Sequence, residues 1–498
     1  MDSIENFRQF RRQSKKGILV IYLNLIYKAL KAFWLLLIIF IQKFSNISET
    51  TIFYIYLGVG GLLLFFLIRA YLIFKNFQFK IENQHFILKK GIFKKTSISI
   101  PFDRIQNINF KQNIIQQLIN VHEVNIETAG SSKAEISIKA LSFKAASALK
   151  NAVAIDEYTR EVENKETIKP LLKVGFKALM KVSLTENHLQ SLVLLFAILA
   201  GFYQQISEIS GGLGKEGILD SYIFKNNAAL ESSVFLIVGL LLLLTVIAVI
   251  SSVVRVLLRH FNLRVYLKDN ALEIYQGLVT KKSIVLKKDK VQHITISHNP
   301  IKKKLGISFI TFKQAISGKV KKKQDKIIKI VGCKKEQIVV ITDLLFPNEN
   351  LEAKNKHFSN VYFKFRLYLR SIAFLGVLNV LLVVFQEGNL VFLGNLLLLP
   401  MVVFFVELKF KKRYYILNEN VIVLNAGSIE THRTYLPFFK VQNIQLKQTI
   451  LQAKREVVDV VFQTASGKIK IPCIAMVNAQ EIYNYTLFKV ETSLKSWM

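Results

Sequence analysis

One segment of the sequence is written three times, and this repeat constrains the fold more than any other feature. Residues 100–121 read IPFDRIQNINFKQNIIQQLINV, residues 286–307 read LKKDKVQHITISHNPIKKKLGI, and residues 436–457 read LPFFKVQNIQLKQTILQAKREV. The three segments align without a gap. A basic residue, a β-branched residue and a glutamine recur in register, and the glutamines are Gln106, Gln292 and Gln442. Matched segments of this kind predict three copies of one domain.

Six apolar stretches lie between the charged parts of the chain. They occupy residues 32–43, 52–74, 189–206, 234–258, 371–385 and 390–406. Several approach the roughly 20 residues that a helix needs to cross a bilayer core. The stretches form three close pairs, and one copy of the repeat follows each pair. Because the chain is 51% hydrophobic and 20% charged, this segregation predicts a membrane protein of mixed α and β structure, in which each of three transmembrane hairpins precedes a domain.

The distribution of Lys and Arg predicts the orientation of these hairpins. The amino-terminal segment and the three repeats carry nearly all of the net charge of +34, whereas the loops at the other ends of the apolar stretches are short and nearly neutral. Lys and Arg are enriched on the cytoplasmic side of a membrane. We therefore expect six spans, with both termini and all three domains in the cytoplasm.

Two lysines near the amino terminus bear on where the first span begins. Lys28 and Lys31 would lie inside the bilayer if the span began at Gly17, and a charge there is costly. We expect residues 17–31 to form an amphipathic helix at the membrane interface, with the span starting near Ala32. The predicted boundaries are residues 1–31 for this first segment, 32–74 for the first hairpin, 75–170 for the first domain, 171–258 for a linker and the second hairpin, 259–355 for the second domain, 356–408 for the third hairpin and 409–498 for the third domain.

Each copy of the repeat reads as short strands broken by Gly or Asn turns and followed by one helix. This pattern predicts a small antiparallel barrel or sandwich capped by a carboxy-terminal helix. A short helical turn follows the repeated glutamine. Asn120 and Gly306 stand after that turn in the first two copies, and both suit the left-handed conformation that ends a helix. Glu456 stands there in the third copy, so we expect the third turn to end differently.

The threefold pattern also resembles a known family. The stretch IPFDRIQNINFKQNIIQQLINVHEVNIETAG (residues 100–130), its two shorter echoes and the linker LLKVGFKALMKVSLTENHLQSL (residues 171–192) are similar to bacterial pleckstrin-homology-like, membrane-flanked domain proteins of the YdbT-like type. The resemblance covers essentially the whole chain. It implies pleckstrin-homology (PH) domains, each a seven-stranded barrel capped by one helix, and a place in the bacterial cell (inner) membrane. It implies no established enzymatic activity or ligand, and it brings no catalytic residues.

The recurring glutamines are predicted to be structural. Alternate residues of a strand share a face, so Gln106 groups with Ile108 and Phe110, and the other two glutamines group with apolar residues in the same way. A buried amide must find hydrogen-bond partners, and the backbone of the nearby turn can supply them. Burial would also remove the side chain from any ligand. We therefore expect all three glutamines to lie in the cores of their domains.

The lysines of the second copy are the best candidates for a binding site. They are Lys302, Lys303, Lys304, Lys319, Lys321, Lys322 and Lys323. Clustered Lys and Arg beside a membrane are attracted to anionic lipid headgroups. The alternative is a solvated face that supports topology and solubility. Nucleic acid is the less favoured partner, because the domains lie beside a membrane and contain no known nucleic-acid-reading motif.

Motifs for catalysis, metal binding or a cofactor are absent from the sequence. The two cysteines, Cys333 and Cys473, stand in different copies, and the eight histidines show no metal-ligand spacing. We predict a non-enzymatic membrane protein without cofactor that binds or scaffolds anionic phospholipids, a second membrane protein or another copy of itself. The alternative function is a transport or lipid-handling component whose domains gate the membrane part, although the spans are nearly free of charge.

Overall fold

The computed structural model describes residues 7–43, 48–128, 136–154, 169–186, 188–212, 234–268, 270–315, 328–347, 349, 351, 355–384 and 394–495. It contains three copies of one unit. Each unit begins with a short strand and a pair of long helices. Three strands follow, then a fourth strand that leads into a short helix, then two more strands and a terminal helix.

The elements of the three copies correspond one to one, except that the second copy has one extra helix, α5. The first copy consists of β1 (Arg11–Arg12), α1 (Gly17–Lys43), α2 (Glu49–Lys75), β2 (Gln78–Glu82), β3 (His85–Lys90), β4 (Thr96–Pro101), β5 (Ile105–Gln112), α3 (Ile114–Leu118), β6 (Val121–Thr128), β7 (Ile136–Ser142) and α4 (Phe143–Ala154). The second consists of β8 (Leu172–Lys173), α5 (Phe176–Leu184), α6 (His188–Gly212), α7 (Val234–His260), β9 (Arg264–Lys268), β10 (Ala271–Gln276), β11 (Lys281–Lys287), β12 (Val291–His298), α8 (Pro300–Lys304), β13 (Ser308–Gln314), β14 (Ile328–Cys333) and α9 (Lys335–Leu345). The third consists of β15 (His357–Phe358), α10 (Val361–Val384), α11 (Gly394–Lys411), β16 (Tyr414–Leu417), β17 (Val421–Gly427), β18 (Thr431–Pro437), β19 (Val441–Lys447), α12 (Ile450–Ala453), β20 (Val457–Thr464), β21 (Gly467–Ala475) and α13 (Met476–Glu491).

The long helices pack in pairs, α1 with α2, α6 with α7, and α10 with α11. Within the described residues, three helices are long and apolar enough to cross a membrane, and they are Glu49–Lys75, Leu241–His260 and Val361–Val384. A shorter apolar helix, Ser191–Gly201, lies within α6. The predicted combination of apolar helices and antiparallel sheets is therefore confirmed.

Helix α1 corrects the expected structure of the amino-terminal segment. Gly17–Lys43 is one unbroken helix of 27 residues, with no separate interfacial helix before Ala32. At 1.5 Å per residue such a helix is about 40 Å long, which exceeds a hydrocarbon core of about 30 Å. Its first turns pack on the first copy, where Val20 is buried against Val121 and Ala140. The apolar contacts with the domain explain why the helix begins well before the most apolar stretch.

Two of the sheets cross from one copy into the next. The sheets have the orders β1-β2-β3-β4, β7-β6-β5-β11-β10-β9-β8, β14-β13-β12-β18-β17-β16-β15 and β19-β20-β21. We call β4, β11 and β18 the third strands, because each is the third strand after the hairpin of its copy. We call the next strands, β5, β12 and β19, the bulged strands. At each internal junction the bulged strand of one copy pairs with the third strand of the following copy.

The two junctions use the same register. Strand β11 pairs antiparallel with β5 from Lys281 opposite Gln112 to Leu286 opposite Asn107, and β18 pairs antiparallel with β12 in the corresponding positions. Hydrogen bonds from side chains support both junctions. Gln117 donates to the carbonyl oxygen of Val279 at 3.0 Å, and Lys440 donates to the carbonyl oxygen of Asp289 at 2.6 Å.

Within a copy, two sheets pack face to face around an apolar core. In the first copy Phe79 and Ile100 of one sheet lie in the same buried cluster as Ile108 and Val124 of the other, and Leu149 of α4 closes it. Among the described strands, none of one sheet of a copy pairs with a strand of the other sheet of that copy. The expected sandwich with a helical cap is therefore present, whereas the closed barrel that the resemblance implied is opened to admit a strand from the neighbouring copy.

Candidate membrane-facing surface

The short helix of each copy is fixed by a polar cap at its start. Asn113, Asn299 and Thr449 are the caps, and each side chain accepts a hydrogen bond from the backbone N–H three residues later. Such caps satisfy backbone donors that the first turn leaves unpaired.

A residue with positive φ follows each of the three short helices, at Asn120, Gly306 and Glu456. The expectation that Glu456 ends its turn differently is thus wrong. Its φ of 51° shows that the repeated backbone imposes the left-handed conformation even on a residue that does not favour it.

Each short helix lies beside the start of its hairpin. In the first copy Lys16, just before α1, donates to the carbonyl oxygen of Ile119 at 3.0 Å. In the second, Asn299 donates to the carbonyl oxygen of Thr185, just before α6, at 3.1 Å. In the third, Arg366 of α10 donates to Asp459, which also accepts a hydrogen bond from Gln452 of α12. The short helices therefore occupy the end of each domain that is nearest to the apolar helices.

The turn before each third strand lies at the same end. In the second copy, Gly277 and Leu278 donate to carbonyl oxygens at the end of α7, each at 2.9 Å. In the third, Lys412 at the end of α11 donates to the carbonyl oxygen of Ser428 at 2.6 Å. Each turn begins with a glycine whose φ lies between 103° and 124°. A Cβ atom there would clash with the carbonyl oxygen three residues later, so the turn requires glycine.

Large apolar side chains are exposed on these short helices and turns. We call this set the proximal surface, and its exposed apolar members are Phe93, Ile114, Leu118, Leu278, Ile301, Ile429, Ile450 and Leu451. Phe93 is 99% exposed, and Ile450 is 82% exposed. Exposed lysines accompany them at Lys94, Lys95, Lys281, Lys303, Lys304 and Lys454. Apolar side chains flanked by Lys next to apolar helices are typical of segments that enter the headgroup region of a bilayer.

The predicted lysine cluster is only partly present on this surface. Lys303 and Lys304 are exposed on α8. Lys302 is 4% exposed, and its Nζ lies 3.8 Å from the ring centroid of Phe309. Burial lowers the pKa of Lys302. Its ammonium group is therefore part of the interior of the second copy and not of the outer face of α8, which corrects the placement of Lys302 in the cluster.

The other four predicted lysines, Lys319, Lys321, Lys322 and Lys323, lie outside the described residues. The strands that flank them are described. Gln314 ends β13, which starts beside α8 at Ser308, so at about 3.3 Å per residue the end of this strand lies roughly 20 Å from α8. The strand end at Gln314, after which the chain leaves the described residues, therefore lies at the opposite end of the domain from Lys303 and Lys304.

The recurring glutamines each occupy a β-bulge. The pairing register shifts between Ile105 and Asn107, between Val291 and His293, and between Val441 and Asn443. A bulge inserts one unpaired residue and breaks the alternation of faces. Gln292 is fully buried, as predicted, but Gln442 is exposed, so the prediction of burial is wrong for the third copy. The side chain of Gln106 lies outside the described residues.

A buried polar cluster in the third copy was not predicted. Asp459 accepts hydrogen bonds from Arg366 of α10 at 2.8 Å, from Lys470 at 2.6 Å and from the backbone N–H of Cys473 at 2.8 Å. Gln452 of α12 also donates to it, at 3.1 Å. Burial opposes ionisation of Asp459, but the hydrogen bonds lower its pKa to about 2. The carboxylate thus ties the first helix of the third hairpin to the domain.

Alignment of the repeats reveals the signal for this cluster. Glu123, Phe309 and Asp459 occupy the same position of the strand that follows the short helix, and Gln116, Lys302 and Gln452 occupy the same position of the short helix. Gln116 and Gln452 are each 1% exposed. A carboxylate in two of three copies, seven residues after a glutamine, was the observable pattern. This signal is weaker than the glutamine that recurs in all three copies, because Phe309 interrupts it in the second copy.

A cavity of about 240 Å³ lies where the first two copies meet. Its lining includes Phe143, His122, Lys111, Lys281 and Lys282. Burial and the neighbouring Lys281 lower the pKa of His122, so the imidazole is neutral at pH 7 and the positive charge comes from the lysines. This combination of aromatic and cationic side chains suits an anionic group carried on an apolar molecule.

The amide groups of Asn379 and Asn395 hydrogen-bond to each other between α10 and α11, with Asn395 donating to Asn379 at 2.8 Å. The pair therefore joins the two helices of the third hairpin. Among the described residues, no group of three or more His, Cys, Asp or Glu side chains is arranged to hold a metal ion.

Comparison with known proteins places these features in a family. The model of the bacterial PH domain matches the chain three times, at residues 29–155, 227–343 and 370–487. The matches start within a hairpin and end in the terminal helix of a copy or, in the first copy, one residue after it. The chain is also 24% identical over 429 residues to the UPF0699 transmembrane protein YdbT of Bacillus subtilis (strain 168), which covers 82% of this chain and 84% of that protein.

Proposed function

Because the chain belongs to the bacterial PH domain family, as a YdbT-like member with three copies of the domain, we propose that it is a multi-pass scaffold of the bacterial cell membrane. In this proposal the three hairpins contribute six spans, and the domains and both termini lie in the cytoplasm. The proximal surface rests on the inner leaflet and binds anionic phospholipids. The role is one of binding and assembly rather than catalysis.

The observation that carries the proposal is the composition and position of the proximal surface. Its exposed apolar side chains lie beside the ends of helices that are long and apolar enough to cross a membrane. Burying a side chain such as Phe93 in the lipid interface would remove apolar area from water, which is favourable by about 25 cal/mol per Å². Each lysine beside an anionic leaflet would add about 1 kcal/mol.

Continuous sheets support the scaffolding part of the proposal. Since the internal junctions join the copies by strand pairing, the three domains are held in one arrangement beside their hairpins. Such an array presents three equivalent surfaces to the membrane at fixed spacing, so that weak contacts add up in the manner of a multivalent binder.

Contact of the proximal surface with lipid can be measured by quenching of tryptophan fluorescence. The full chain, with Trp34 and Trp497 replaced by Phe, would carry a single tryptophan at Phe93 or Ile450 and be placed in nanodiscs of brominated phosphatidylglycerol or phosphatidylcholine. Leu417→Trp, exposed at the far end of β16, is the matched control. We expect strong quenching for F93W and I450W and little for L417W. Equal quenching at all three positions would contradict the proposed orientation.

Preference for anionic lipid is tested at the lysines. K303Q with K304Q should reduce the number of phosphatidylglycerol molecules retained by the purified protein in native mass spectrometry, and the difference should fall with salt because of screening. Lys268 and Lys468 are exposed at the opposite ends of their strands, so K268Q with K468Q is the control of equal charge. An equal loss of lipid in both variants would show that Lys303 and Lys304 are ordinary solvated residues and not a lipid-binding site.

A further inference from the structure

The two ends of the array of sheets carry edges that match each other. Strand β4 is the last strand of the first sheet, and β19 is the first strand of the last sheet. No strand among the described residues pairs with the outer edge of either one. Strand β4 is a third strand and β19 is a bulged strand, which are the two kinds of strand that pair at both internal junctions.

Exposure of these edges differs from that of their counterparts inside the array. Ser99 of β4 is exposed, whereas Val285 and Tyr435, at the same position of β11 and β18, are 7% and 4% exposed. On the bulged strand, Lys447 is exposed, whereas at the same position Lys111 of β5 is half-buried and Ser297 of β12 is 5% exposed. Ser99 and Lys447 are thus more exposed at the two ends than their counterparts at the junctions.

Lysines on these strands do not prevent pairing. Edge strands are often protected from association by charged side chains. At the internal junction between β5 and β11, however, Lys111 lies directly opposite Lys282. Lys447 is the repeat equivalent of Lys111, and Thr96 is the equivalent of Lys282. The end edges therefore carry fewer opposing charges than a junction that forms within the chain.

We propose that β19 of one chain pairs antiparallel with β4 of a second copy of the chain, which extends the array of sheets head to tail. The established registers, Val285 opposite Ile108 and Tyr435 opposite Ile294, define the register of the new junction. They place Ser99 of one chain opposite Ile444 of the next and Thr96 opposite Lys447.

The apolar helices restrict the form of such an assembly. A head-to-tail contact generates a ring if the rotation closes and an open row if it does not. Since every chain is fixed to the membrane by its hairpins, neighbours must keep the same orientation relative to the bilayer. The assembly therefore grows in the plane of the membrane. This inference goes beyond lipid binding and stands on strand pairing alone.

Cysteine cross-linking in membranes tests the junction. Two differently tagged full-length chains, one with Thr96→Cys and one with Lys447→Cys, would be expressed together and oxidised mildly. Opposite residues of an antiparallel pair have Cα atoms about 4.5–5.5 Å apart, within the range of a disulfide. We expect an adduct of both tags at twice the chain mass of 57.1 kDa. The native cysteines, Cys333 and Cys473, are fully buried.

Two control pairs of cysteines calibrate the yield of the cross-link. K111C with K282C in one chain occupies the same positions of the internal junction and should form an intrachain disulfide, which defines the yield of a true strand pair. T96C with N443C places the cysteines about 13 Å out of register. We expect at least tenfold more adduct from T96C with K447C than from this off-register pair.

Three results would overturn the proposal. One is an adduct no more abundant than that of the off-register pair. Another is cross-linking between two chains that both carry only T96C, which would show a symmetric contact. The third is an intrachain disulfide in a chain that carries both T96C and K447C, because the two edges would then close on each other within one molecule.

Discussion

The second and third copies build the same buried position from opposite chemistry. In the third, Asp459 accepts hydrogen bonds from Gln452, Lys470 and Arg366. In the second, Phe309 replaces the carboxylate, and the ammonium groups of Lys302 and Lys329 lie 3.8 Å and 4.0 Å from its ring centroid. We call these the carboxylate cluster and the aromatic cluster.

The two clusters show how a repeat accommodates a change of charge. Within the described residues, Lys302 and Lys329 form no ion pair, and burial lowers the pKa of both. A ring face attracts cations but contributes only about 0.5–2 kcal/mol, less than a hydrogen-bonded carboxylate inside a protein. The sandwich tolerates either solution, but only the carboxylate cluster also holds a hairpin helix.

The largest effect is expected from Asp459→Asn. It leaves Arg366 and Lys470 without their counter-charge, and breaking a buried ion pair costs about 3–5 kcal/mol. Hydrogen exchange of β20 and β21 in the full chain measures the loss of local stability. Glu123→Gln in the first copy is the control, since the side chains of Glu123 and its partner Lys139 are 18% and 40% exposed, whereas those of Asp459 and Arg366 are 6% and 16% exposed. A similar loss there would contradict the special role of the carboxylate cluster.

The next largest effect is expected from low pH, which should destabilise the carboxylate cluster by protonating Asp459. Asp459 has a folded pKa of about 2 and an ordinary value of 3.8. A lowered carboxyl pKa stabilises the fold above its unfolded value, and this stability is lost as the pH falls from about 4 to about 2, by roughly 2 kcal/mol. Hydrogen exchange of β20, corrected for the intrinsic rate at each pH, should thus accelerate over this range in the wild type. A wild-type slope equal to that of D459N would show that another carboxyl group is responsible.

The bulge glutamines offer a smaller contrast between the same two copies. Gln292 is fully buried, whereas Gln442 is exposed. Gln292→Ala should cost about 1–3 kcal/mol, because buried polar groups lose hydrogen bonds. Gln442→Ala should stay within about 0.5 kcal/mol, as is usual for surface substitutions. Thermal unfolding of the two full-length variants in the same detergent compares them, and equal shifts would refute the difference in burial.

The smallest effect is expected from Lys302→Gln, which gives the second copy the residue found in the other two. It removes a buried charge and should stabilise the copy by about 1 kcal/mol, the net contribution of one hydrogen bond. A lysine with a lowered folded pKa destabilises the fold while it is charged. This penalty is complete below the folded pKa and disappears as the pH rises toward 10.5.

Hydrogen exchange of β13, measured from neutral to alkaline pH and corrected for the intrinsic rate, follows this penalty. The wild type should gain local stability as the pH rises, and K302Q should gain less. The acidic groups Glu186 and Glu430 and the neighbouring Lys329 also act on Lys302, so K329Q serves as the second variant. A wild-type profile that matches K302Q at every pH would show that Lys302 carries no such penalty.

Features that depend on local periodicity could be predicted from the sequence. Repeats, apolar stretches and glycine turns predicted the three units, the helical pairs and the sandwich, because each depends on residues close together in the chain. The junctions could not be predicted. Which strand pairs with the free edge of β5 depends on how two copies approach each other, and an isolated repeat contains no information about its neighbour.

The candidate surface was predicted in part, for a reason visible at α8. Lys302, Lys303 and Lys304 look alike in sequence, yet the cap at Asn299 directs the first of them into the domain and leaves the other two outside. In a helix of five residues, adjacent side chains point in different directions, so one residue can be buried while the next is exposed. The bulge at Gln442 changes the face of a side chain in a comparable way.

Because both junctions pair a third strand with a bulged strand, any one copy of the unit could join to any other through the same strand pairing. If the middle unit were lost, the edges left behind, on β5 of the first copy and β18 of the third, would be the same pair of types that meet at the other junctions. A unit inserted between two others would find a partner on each side. Duplication or deletion of a gene segment could therefore lengthen or shorten such a chain by whole units without a new kind of interface.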